Sequence, residues 1–105
     1  MSKNPWFKFC PSDWRGDPKL RMCSIAARGL WIEMMCIMHE AKPYGHLLIE
    51  GESVSDAELA RAIGMDAGEV ETLIAELEKW AVFSRNGKGV IYSRRMVRDL
   101  SLIHI

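Results

Sequence analysis

Two helix starts eleven residues apart, followed by an Asn-Gly turn between two β-prone runs, constrain this chain more than any other feature. Ser55-Asp56-Ala57-Glu58 opens a helix with a hydroxyl cap and a carboxylate three residues on, and Asp66-Ala67-Gly68-Glu69 repeats the device. Each such pair satisfies backbone N–H groups that the first helical turn leaves without partners. Between the starts, Leu59, Ala60 and Ile63 supply apolar and small contacts, and Gly64 permits the left-handed turn that sends the chain into the second helix. Val70, Leu73, Ile74 and Leu77 then form one apolar stripe. Past Trp80, the runs Val82–Arg85 and Val90–Ser93 flank Asn86-Gly87-Lys88-Gly89, whose Asn-Gly pair signals a hairpin. Two helices and a hairpin in this order predict a winged helix.

The preceding half supplies a longer helix. From Ile25 to Ala41 the chain is apolar almost all round, with Leu30, Trp31, Met34 and Met38 on one face and Ile32, Met35 and Cys36 elsewhere. A domain of 105 residues has little room to bury a helix on every side, so part of this girdle, Trp31, Met35 and Met38, is expected at an interface with another copy. Pro43-Tyr44-Gly45 ends the helix, and Leu47-Leu48-Ile49 reads as a short strand able to pair with the wing before Gly51 releases the chain. Trp6–Pro11 alternates as a strand would, with Phe7 and Phe9 on one face and Pro11 stopping it. Asp17-Pro18 and Ser24 offer helix starts. Met96, Val97, Leu100 and Ile103 recur at helical spacing.

The expected architecture is therefore α+β: a winged helix-turn-helix with an N-terminal strand extension and a C-terminal helix, one domain over 1–105. Its parts are an extension over 6–23, a body over 24–95 and a final helix over 95–105. Helices are expected near 25–41, 55–63 and 67–80, with the hairpin turning at Asn86-Gly87. The chain stops at Ile105 without a cap or polar tail, the ending expected of a truncated form of a longer protein.

Charge is zero overall but segregated. Residues 1–28 hold six Lys/Arg against two acids, 29–84 three against eleven, and 85–105 five against one. The basic ends suit phosphates and the acidic middle suits a basic partner, although solvation of helix faces accounts for the same pattern. No apolar run reaches membrane-spanning length and no signal-type segment opens the chain, so a cytoplasmic location is expected. Three cysteines, Cys10, Cys23 and Cys36, make no disulfide framework in a reducing compartment. Cys36 and His39 stand one helical turn apart, but the chain has no Cys-x-x-Cys pair, so no metal or other cofactor is expected; Cys36 is read as a core residue and His39 as a surface one. No catalytic motif is present, and the carboxylates fall at solvating spacing; the work expected is binding, with no catalytic residue.

Phe9-x-Pro11-x-Asp13-Trp14 followed by Leu20, and Arg28-Gly29-Leu30-Trp31 in the long helix, resemble the N-terminal domains of phage and prophage replication proteins, of the replisome-organiser and DnaD-like primosome type. The resemblance covers about residues 6–99. It implies a winged helix that works in replication initiation or helicase loading, that oligomerises, and that shares DNA binding with a C-terminal region.

A winged helix ordinarily reads bases with its third helix, through Arg, Lys, Asn and Gln. Here that helix offers Asp66, Glu69, Glu71, Glu76 and Glu78 against Lys79, which repel phosphate, so base reading is not expected. The wing and its continuation differ: Arg85, Lys88, Arg94, Arg95 and Arg98 are candidates for non-specific backbone contact. Lys8, Arg15, Lys19 and Arg21, interleaved with Trp6 and Trp14, extend the patch and offer rings for stacking on single-stranded bases, or else the rings are core and the cations cover it. The expected function is a DNA-replication accessory module that binds DNA through the wing and oligomerises through its first long helix. The alternative is a protein-interaction module or inhibitor without DNA binding, engaging a basic replication or host partner through Glu69, Glu71, Glu76 and Glu78, with carboxylates imitating phosphates.

Overall fold

In the computed structural model, which describes residues 5–103, each of the three main helices starts where its cap predicts. The order is α1 (Pro11–Gly16), α2 (Pro18–Arg21), α3 (Ile25–Glu40), β1 (Leu48–Ile49), β2 (Glu52–Ser53), α4 (Asp56–Ile63), α5 (Ala67–Lys79), β3 (Ser84–Arg85), β4 (Ile91–Tyr92) and α6 (Arg94–Ile103). Among the described residues this is an α+β fold of six helices and two two-stranded antiparallel sheets. Residues 104–105 of the expected C-terminal helix, and the side chain of Ile103, lie outside the described residues.

Ser55 and Glu58 make the reciprocal capping box of α4: the Ser55 hydroxyl accepts from the Glu58 N–H at 3.1 Å, and the Glu58 carboxylate accepts from the Ser55 N–H at 2.8 Å. Asp66 caps α5 by accepting from the Glu69 N–H, and Ser24 caps α3 by accepting from the Ala27 N–H. Gly64 closes α4 at φ 76° and ψ 43°, and the Met65 N–H returns to the Ala60 carbonyl. An added Cβ at Gly64 meets no atom within 4 Å, so the whole cost of a side chain there is backbone strain. Gly64→Val is expected to destabilise the protein by about 1 kcal/mol or more in urea denaturation, and an unchanged midpoint would show that the turn accepts another conformation.

The hairpin forms where the Asn-Gly signal falls, but its turn differs from the two-residue form that signal favours. Ser84 faces Tyr92 and Arg85 faces Ile91, the Asn86 N–H donates to the Val90 carbonyl, and the Gly89 N–H donates to the Asn86 carbonyl. Positive φ falls on Gly89 (83°) alone within this loop. The connection is thus a three-residue loop ending in a glycine bulge. The Asn86 side chain drives it, accepting from the N–H groups of Lys88 and Val90.

The strand expected after α3 divides its pairing. His46 bridges Tyr92 and the Leu47 N–H donates to the Ile91 carbonyl, so a link to the β3–β4 hairpin exists. Leu48–Ile49 instead pairs with Ser53 and Glu52 through a turn in which Glu50 and Gly51 both take positive φ.

Two expectations are corrected. Residues 6–10 form no strand: Pro11 starts α1 rather than stopping an extended edge, because a fixed φ and a missing N–H suit the first helical position. The α3 girdle is also covered by its own chain. Trp31, Met34, Met35 and Met38 are all buried in one cluster with Leu20 and Cys23 from the N-terminal side, Leu59, Val70, Ile74 and Leu77 from α4 and α5, and Phe83, Ile91 and Met96 from the hairpin region and α6. Residues 7–23 and α6 fold back over α3, so a short chain covers the helix without a partner. Ala26, Gly29, Glu33, Cys36 and Glu40 form the face that α3 leaves exposed.

Candidate nucleic-acid interface

The end of α5 positions the basic segment that follows. Ala81 takes a left-handed φ of 54°, the Val82 N–H returns to the Leu77 carbonyl and the Ala81 N–H to that of Glu78, which swings the chain sharply off the helix. This leaves the Ala81 and Val82 carbonyls pointing at α6, where the Arg94 guanidinium takes them at 2.7 and 3.4 Å and the Ser84 hydroxyl at 2.7 Å. Buried Ser93 caps α6, its hydroxyl accepting from the Met96 N–H. Close approach at Gly45, where an added Cβ would stand 3.0 Å from Val97, fixes the other side of α6.

So held, the first turns of α6 face the N-terminal segment across a cleft of about 220 Å³. Lys8, Arg94, Arg95 and Arg98 line it, together with Phe7, Phe9, Trp14 and Trp31, over a base that includes Leu20 and Met35. Phe9 and Trp14 stand 5.5 Å apart at 50°, and Phe7 packs 5.5 Å from His39. Asp13, Asp17 and Asp99 also reach the lining. Arg95 spans the mouth to Asp13 at 3.0 Å, an ion pair half exposed on both sides. The two basic ends of the sequence, far apart along the chain, therefore meet in space.

Not every predicted cation joins them. Arg85 is committed to Glu78, donating from Nε and Nη2 at 3.1 and 2.8 Å, and to the Gly89 carbonyl at 3.0 Å. Arg94 holds backbone, as described. Both leave the set free to take phosphate, because charge-assisted partners inside the chain already use their N–H groups. Lys88 is exposed at the hairpin tip, and Arg15, Lys19 and Arg21 are exposed on α1 and α2, Arg21 donating to the Trp14 carbonyl at 3.4 Å; none of the four lines the cleft. Lys8 and Arg98 are exposed, line it, and form no ion pair with a described residue.

The acidic candidates divide in the same way. Glu69 and Glu71 are exposed on α5. Glu76 is half-buried and accepts from the Ser24 N–H and hydroxyl, tying α5 to the start of α3, and Glu78 serves Arg85. Trp31, Met35 and Met38 are core. Asp13, Ser93 and Asp99 also line the cleft without having stood out in the sequence as site residues; the Phe9–Trp14 motif contained the first, and a serine ahead of Met96 was the only sign of the cap.

Arg85 hydrogen bonding holds the Glu78 carboxyl below the usual carboxylate range. The stabilisation from this pair is present above the pKa of an unfolded glutamate and disappears as pH falls through the lower folded value. Both side chains are about half exposed, so it amounts to about 0–1 kcal/mol. Arg85→Gln is expected to lower stability within that range at pH 7, with the difference from the parent vanishing in acid; an equal deficit at low pH would mean that packing of Arg85 over Phe83, rather than the pair, is what was lost.

His39 is buried, its Nδ1 2.7 Å from the Tyr44 hydroxyl, while Cys36 is exposed, the reverse of the expected placement. The reason is helical phase: residues 31, 35, 38 and 39 face the core, and 36 falls on the outer stripe with 29, 33 and 40. Burial raises the Cys23 thiol pKa, and at exposed Cys36 partial desolvation against the helix, with the Glu33 carboxylate beside it, acts in the same direction. Among the described residues no group of three His, Cys, Asp or Glu side chains is placed to hold a metal ion, and no helix is long and apolar enough to cross a membrane. Comparison with protein-family models, with curated proteins and with solved structures returned no match to this chain.

Proposed function

We propose that this chain is a winged-helix accessory module of phage or prophage-type DNA replication, serving initiation or helicase loading by holding nucleic acid through its backbone without reading sequence. The order of α3, α4, α5 and hairpin supports the fold reading, and the Phe9–Trp14 and Arg28–Trp31 motifs support the replication setting. One observation carries the binding: cations from both ends of the chain converge on a single aromatic-lined cleft. The contact surface is thus the face shared by the N-terminal segment and α6, in place of the wing strand. Self-association, which the resemblance implies, would use Ile25, Ala26, Gly29 and Cys36, the exposed side of α3.

Titrating a labelled duplex and a labelled single strand at two salt concentrations tests this. Phosphate contact predicts that log affinity falls by roughly 0.7–0.9 per decade of salt for each contact made. No binding to either at low salt would end the proposal. The alternative, an interaction module or DNA mimic using the acidic α5, retains Glu69 and Glu71 but loses Glu76 and Glu78 to internal bonds, so its surface is smaller than the sequence promised.

A further inference from the structure

We propose that the cleft between the N-terminal segment and α6 receives one unstacked base, so that the module holds single-stranded nucleic acid in preference to duplex. This rests on the reading of Lys8 and Arg98 as phosphate contacts and names the form of nucleic acid they serve. Size is the first argument. A cleft of about 220 Å³ is far larger than the ~10–15 Å³ needed for a water, and smaller than the ~300–1,000 Å³ of pockets that enclose drug-sized ligands. It accommodates one planar ring system. A duplex keeps its bases stacked inside and can present only phosphates to such a concavity.

Chemistry is the second. Phe9 is 45% exposed beside Trp14, an arrangement that leaves a large ring in water where a base face could cover it. Asp13 in the lining is paired with Arg95, and the Asp99 carboxylate repels a phosphate while accepting from the N–H donors on a base edge. Lys8 and Arg98 supply positive charge for the phosphate that stays outside. The base therefore enters and its backbone remains between the two cations.

The test uses the full chain with three probes: a labelled single strand of about ten nucleotides, the same strand carrying abasic sites, and the matching duplex. The expected result is that the intact strand binds roughly 5- to 150-fold more tightly than the abasic strand, the range that stacking one base supplies, with the duplex as weak as the abasic strand. Phe9→Ala should remove a similar factor while leaving the salt slope unchanged, since no phosphate contact is lost. Equal, salt-sensitive binding of all three probes overturns the base site and leaves backbone binding standing. Absence of binding by every probe at low salt overturns both. The abasic comparison needs no variant, so a folding defect in Phe9→Ala leaves the outcome readable.

Discussion

Trp31→Ala is expected to cost about 3–5 kcal/mol, the range for removing a buried tryptophan and leaving its cavity. Trp31 is 5% exposed and lies 6.2 Å from the Phe83 ring, so the loss strikes the joint between α3 and the start of the β3–β4 hairpin. A domain of this length has about 5–15 kcal/mol of stability in total, so the variant retains a fraction of it and melts about 15 °C lower or more. The experiment also separates two roles for this helix. If Trp31 packs inside one chain, the urea midpoint deficit is the same at low and high protein concentration. A folded variant that loses only mass, or a deficit that shrinks as concentration rises, would restore the interface reading of Trp31, Met35 and Met38 and overturn their assignment to the core.

The second large effect is on binding. Replacing Lys8 and Arg98 together by glutamine is expected to weaken association with a duplex and a single strand by a similar factor for all sequences. If each holds one phosphate, the salt slope flattens by roughly 1.4–1.8 units, which near 0.1 M salt corresponds to roughly 25- to 60-fold. Arg85→Gln is the control, because its guanidinium is already bound to Glu78 and Gly89. Should Arg85→Gln and Lys88→Gln weaken binding while the Lys8 and Arg98 changes leave it intact, the contact lies on the β3–β4 hairpin and the cleft is not the interface.

The difference between these residues was invisible at the level of charge counting. Arg85, Lys88, Arg94, Arg95 and Arg98 read as one basic run within fourteen positions. The fold sends them to different tasks: Arg85 to the end of α5, Arg94 to carbonyls exposed by the turn at Ala81, Arg95 to Asp13, and Arg98 to the cleft. A guanidinium's partner depends on which acceptors the fold brings within about 3 Å, and those for Arg94 and Arg95 lie 10–13 and 82 residues away along the chain. The acidic stripe of α5 dissolved for the same reason, since Glu76 found the Ser24 amide 52 residues away.

What the sequence determined by itself was local. Ser24, Ser55 and Asp66 start α3, α4 and α5 because a cap needs only a side chain and the N–H groups two or three residues on. Gly64 turns left because only backbone sterics decide it, and Asn86 closes the hairpin by bonding its own next few amides. Tertiary structure alone decided what covers α3 and where the basic ends go. The apolar girdle of Ile25–Glu40 declared that burial was required but not by whom, since hydrophobic attraction has no direction and a partner chain satisfies it as well as the chain's own termini. The folding back of residues 7–20 and of α6 over that helix answered it, and the same closure made the cleft, whose opposing walls are separated by some eighty residues of sequence.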